Sequence, residues 1–125
     1  MTPPDAPLPH NMKTPPYDRA KVIENLGGDE RLLDEIAGVF IAGWPDSLTR
    51  LRTALAVADA DEVRSAAHAI KGSIANFSAG RAVEAARQLE MTGKAGDLGP
   101  APAQLARVVA AVEEVMAALA ADRRA

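Results

Sequence analysis

The sequence predicts an all-α protein: an antiparallel up-down four-helix bundle with one or two short extra helices on its N-terminal side. Three observations lead there. Apolar residues recur at helical spacing in successive stretches, as at Leu32, Leu33, Ile36, Val39 and Phe40. Alanine is abundant, aromatic residues make up only 3%, and no stretch alternates as a half-buried strand does. Short breaks marked by Gly, Pro and Asp join the stretches, as expected for antiparallel neighbours. At 125 residues this is one domain with a tail, large enough for a modest core without staples.

The elements follow in order. Residues 1–16 hold six of the nine prolines and read as a disordered or polyproline-like arm, in which His10 is a bystander. Tyr17 to Leu26 forms a short helix that Gly27-Gly28 ends. Asp29 caps the next helix. Gly43 and Pro45 interrupt that helix, with Trp44 between them as a core anchor; Pro45 then sits in the first turn of a further helix carrying Leu48, Leu51 and Leu55. Asp59 with Glu62 reads as a capping box opening a helix that runs to Phe77. Ser78 or Ala79 begins the next, with Val83, Ala86 and Leu89 inward, and Gly93, Gly96, Gly99 and Pro100 break it. The last helix has the longest stripe, from Leu105 through Val108, Val112 and Met116 to Leu119. The bundle is thus expected over 17–121, with a frayed end at 122–125.

Composition excludes several functions. There is no cysteine, so neither disulfides nor thiolate chemistry are available, and with one well-placed histidine a structural zinc site is excluded in practice. A net charge of −3 argues against nucleic-acid binding. No apolar run is long enough to span a membrane and none resembles a signal peptide, so a cytoplasmic monomer is expected. Asp59, Asp61 and Glu62 lack the spacing of a calcium loop. No phosphate-binding glycine loop and no Gly-x-Ser-x-Gly elbow occurs, and Ser65 and Ser73 lack an evident base.

His68 remains. On a helix at about 100° per residue, Val63, Ala66, Ala67, Ile70, Ile74 and Phe77 share one face, and His68 lies roughly 140° from Val63. Gly72, one turn on, lies roughly 180° away, with Ala75 after it. An exposed Gly inside a helix costs about 1 kcal/mol relative to Ala, which close approach of another molecule to His68 would offset. Lys71 flanks the histidine at i+3. The small residues of the strip Arg64, Ser65, His68, Gly72 and Ala75 suit a docking partner. The short turn at Ser78-Ala79 makes the flanking helices antiparallel, which brings Glu90 to the height of His68 at the edge of the groove between them.

His68-x-x-Lys71-Gly72-Ser73, Asn76-Phe77-x-Ala79 and Leu89-Glu90, with Leu26-Gly27-Gly28-Asp29 upstream, resemble the signature of the histidine phosphotransfer (HPt) domain over about Tyr17 to Leu119. Ser78 stands where that family usually has Gly. The resemblance implies that His68 carries a phosphoryl group between receiver domains of response regulators or hybrid histidine kinases. Lys71 would then neutralise phosphoryl charge, and Glu90 would orient the ring through Nδ1 so that Nε2 is the nucleophile. The receiver would bring the acceptor aspartate, an acidic pocket and Mg²⁺, so this chain needs no cofactor or metal of its own. With no ATP site it reads as a stand-alone carrier rather than an enzyme. The alternative is a helical docking module that regulates a kinase or response regulator sterically, with His68 unused.

Overall fold

The computed structural model describes residues 15–124, with side chains as far as Arg123. The Pro-rich arm expected at 1–16, His10 included, lies outside the described residues except for Pro15 and Pro16. Five helices follow one another: α1 (Arg19–Asn25), α2 (Glu30–Ala56), α3 (Ala60–Ala75), α4 (Gly80–Ala95) and α5 (Ala101–Arg124). Among the described residues there is no strand.

Aspartates start three of the helices. Asp18 accepts from the Lys21 amide at 3.1 Å, and Asp29 from the Arg31 and Leu32 amides at 3.0 and 3.2 Å. Asp59 accepts from the Glu62 amide at 3.1 Å. Each cap stabilises its helix by about 1 kcal/mol. The capping box expected at Asp59 is half made, because the Glu62 side chain turns instead to Arg50 on α2.

Left-handed residues close the helices. Gly27 at φ 71° ends α1, and the Gly28 amide reaches back to the Ile23 carbonyl at 2.8 Å. Ala58 at φ 55° closes α2 in the same way, with the Asp59 amide 2.9 Å from the Ala54 carbonyl. Ser78 holds φ 50° in the turn between α3 and α4. Glycine takes that conformation without steric cost, whereas a side chain resists it. Ser78→Gly is therefore expected to stabilise the fold by about 1 kcal/mol, net of the extra freedom of the unfolded chain. Urea unfolding measures it; an unchanged or lower midpoint would show the turn to be unstrained.

The break expected at Gly43–Pro45 does not occur: α2 is a single helix of 27 residues with Pro45 inside it. Proline there removes one backbone bond and crowds the preceding turn, at about 3 kcal/mol. Packing outweighs this, because Leu33, Ala37, Trp44, Leu51 and Ala54 are buried along one face on both sides of the proline. The phase of that face also differs from expectation. Ala37 takes a central place, while Leu32 and Val39 are exposed, Val39 by 75%.

Gly93, expected as a breaker, is buried inside α4, which ends at the left-handed Gly96. α5 runs on to Arg124 through the end expected to fray at 122–125, of which Ala125 lies outside the described residues. The Tyr17 hydroxyl donates to the Asp122 carboxylate there, and burial together with that partner pushes the Tyr17 phenol up to about 12.

Connections at 57–59, 76–79 and 96–100 are short, so each long helix folds back on the one before it. α2, α3, α4 and α5 touch in a closed ring, and α1 packs on α2. Phe77, Leu33, Leu51, Ile74, Leu89 and Leu119 are the largest fully buried side chains.

Candidate functional site

The core face of α3 decides where its histidine points. Val63, Ala66, Ala67, Ile70 and Ile74 are buried, so His68 stands outside, midway along the helix, with its side chain 65% exposed. The facing side of α4 buries Ala82, Ala86, Leu89 and Gly93. The two alanines and Gly93 among them let α3 and α4 approach closely. Burial of Leu89 sets Glu90 at the edge of the groove, its side chain only 16% exposed.

Glu90 bridges two residues of α3. Its Oε2 lies 2.7 Å from His68 Nδ1 and its Oε1 lies 2.6 Å from Lys71 Nζ. The bond to Lys71, then that to His68, holds the Glu90 carboxyl below the usual carboxylate range against the opposing effect of burial. An ionised carboxylate only accepts hydrogen bonds, so the proton between them belongs to Nδ1. In the neutral ring that leaves Nε2 with the free lone pair, and among the described residues Nε2 has no hydrogen-bond partner.

His68, Lys71 and Glu90 thus come together as one cluster. Lys71 flanks His68 as the i+3 spacing predicts, and its pairing with Glu90 is one that the linear pattern did not give. Gly72 is exposed, and a Cβ built on it meets nothing within 4 Å. Arg64 and Ala75 are exposed on the same helix. Ser65 is half-buried, and its hydroxyl accepts from Arg50 Nη2 at 2.9 Å. Arg50 also grips Glu62 with Nε and Nη2, at 2.7 and 3.0 Å. This brace between α2 and α3 was not expected from the sequence. Its members lie on two helices whose relative rotation no linear pattern gives.

An apolar groove of about 390 Å³ opens between α2 and α3, with Phe40, Trp44, Ile70 and Phe77 in its lining. Trp44 itself is buried. Among the described residues no three His, Cys, Asp or Glu side chains are grouped to hold a metal ion, and no helix is long and apolar enough to cross a membrane.

A family model described as the Hpt domain matches residues 35–122, beginning inside α2 and leaving α1 outside. No curated protein matches the chain. Among solved structures, it is similar to the histidine-containing phosphotransfer protein B (HptB) from Pseudomonas aeruginosa PAO1. The TM-score is 0.82 at 23% identity, over 90% of this chain and 97% of that one, a likeness of fold. With most of its length under the family model, this chain belongs to the Hpt domain family.

Proposed function

We propose that His68 accepts a phosphoryl group from a receiver-domain aspartate and passes it to a second receiver domain, the chain acting as a carrier without an ATP site of its own. The observation that supports this is the Glu90 bridge, which fixes the proton on Nδ1 of an exposed imidazole. The Nε2 lone pair attacks the phosphorus of the aspartyl phosphate. An N–P bond forms, the P–O bond breaks, and the aspartate leaves as a carboxylate. The ring becomes positively charged as it bonds, and the Glu90 carboxylate stabilises that charge through Nδ1–H. Attack by a second aspartate on the phosphohistidine reverses these steps. Lys71 sits one turn along α3 and neutralises part of the phosphoryl charge from the edge of the site.

The partner docks on the strip formed by Arg64, Ser65, His68, Gly72 and Ala75. Open space above Gly72 supports this surface. Gly72→Gln is accordingly expected to stabilise the fold by roughly 0.5–1 kcal/mol, since Gln is the better helix former. It is expected to weaken transfer roughly 10–100-fold, the equivalent of a 1–3 kcal/mol steric cost in the complex. Full transfer by a well-folded variant would remove the steric reading of Gly72.

The direct test incubates the chain with a phosphorylated receiver domain carrying labelled phosphate. Label that moves to the chain, is acid-labile and base-stable, and maps to the peptide containing His68 supports the carrier. Stable complex formation with no label transferred by any receiver domain would leave a docking module instead.

A further inference from the structure

Gly93 lies inside α4 with its Cα turned onto the backbone of α3. A methyl group there would stand 2.6 Å from the Arg64 amide nitrogen, 2.9 Å from Arg64 Cα and 3.0 Å from the Ala60 carbonyl oxygen. All three are backbone atoms, so no side-chain rotation relieves the clash. At every other glycine of the chain the space is open or bounded by a side chain. Arg64 precedes His68 by one turn on α3, and Gly93 follows Glu90 by almost one turn on α4. In an antiparallel pair this backbone contact therefore lies one turn from the bond between His68 and Glu90.

We propose that Gly93 is a positioning residue for His68: its missing side chain sets the α3–α4 separation at which Glu90 reaches His68 Nδ1 and Lys71 Nζ together. The consequence for phosphoryl transfer rests on His68 being the acceptor; the consequence for the ring does not. A Cβ at Gly93 must move from 2.6 Å to at least 3.4 Å to reach ordinary contact, a separation of about 0.8 Å. Glu90 spans 2.7 and 2.6 Å with its two oxygens. Hydrogen bonds of this kind fall off beyond about 3.2 Å, so an opening of that size breaks one or both. Elsewhere along the two helices the buried residues include Ala66, Ala67, Ala82 and Ala86. Their short side chains allow the same close spacing, and Gly93 is where it becomes backbone against backbone.

The test uses the full chain carrying Gly93→Ala and reads the His68 ring by ¹⁵N NMR. The wild type should show the proton on Nδ1. In the variant the tautomer with the proton on Nε2, which a free histidine side chain favours, should become substantially populated. Transfer from a phosphorylated receiver domain should lose about 10–100-fold in maximal rate, as expected for a misplacement near 1 Å, with KM little changed. Gly80→Ala, in open space at the start of α4, should alter neither. Glu90→Asp keeps the charge but draws the carboxylate back by about 1.5 Å, so it should shift the tautomer without disturbing the packing. An unchanged tautomer in folded Gly93→Ala overturns the proposal. If that variant does not fold, an unchanged tautomer in Glu90→Asp overturns it instead. A wild type that takes no label from any receiver would defeat the carrier reading and leave the tautomer comparison to judge Gly93 separately.

Discussion

His68→Gln is expected to abolish phosphoryl transfer completely while leaving the fold within about 0.5 kcal/mol of the wild type. The two halves of this prediction have separate causes. The side chain is 65% exposed and the buried face of α3 passes it by, so its removal opens no cavity. Gln is a slightly better helix former than His, and its amide can still donate to Glu90. What is lost is chemical. An amide nitrogen shares its lone pair with the carbonyl and does not attack phosphorus, so no weaker nucleophile takes over. The label should therefore vanish rather than diminish, with an unchanged circular dichroism spectrum and urea midpoint. Retained acid-labile label would move the acceptor to His10, the one other histidine of the chain.

Phe77→Ala is expected to cost about 3–5 kcal/mol, a large share of the roughly 5–15 kcal/mol that holds a domain of this size. Phe77 is 1% exposed and closes the turn between α3 and α4. Its ring lies 5.4 Å from that of Phe40 on α2, so truncation loses an aromatic pair as well as buried area. Its backbone is engaged too: the amide donates to the Ile74 carbonyl at 3.0 Å and the carbonyl accepts from the Asp18 amide at 3.4 Å. A cavity here loosens three segments together. Urea unfolding should show a much lower midpoint at similar slope. The folded fraction should still transfer phosphate, because His68 lies nine residues away, about 13 Å along the helix. A loss below about 1.5 kcal/mol would mean that the neighbours collapse into the gap.

Much of this arrangement was legible in the sequence because it depends on single-helix periodicity. The phase that buries Val63, Ala66, Ala67, Ile70 and Ile74 also turns His68 outward. Asp29 and Asp59 were readable as caps because they satisfy the amides that follow them. The height of Glu90 followed from residue counts on either side of a short turn. What was not legible depends on neighbouring helices. Pro45 breaks a helix by local rules, and only the packing of Trp44 and Leu51 on either side shows why α2 continues. Gly93 reads as punctuation until the α3 backbone is seen against it. The i+3 spacing placed Lys71 beside His68 but not its pairing with Glu90 on α4, and the grip of Arg50 on Glu62 and Ser65 needs the rotation of α2.

The bond between Tyr17 and Asp122 joins residues 105 positions apart and so brings the two ends of the domain side by side. Such a chain suits circular permutation, in which a linker ties the old ends together and new ends open elsewhere. The connection at 96–100 is the natural place to cut. Its residues are mostly exposed, and the cut leaves α3, α4 and the cluster of His68, Lys71 and Glu90 on one unbroken stretch.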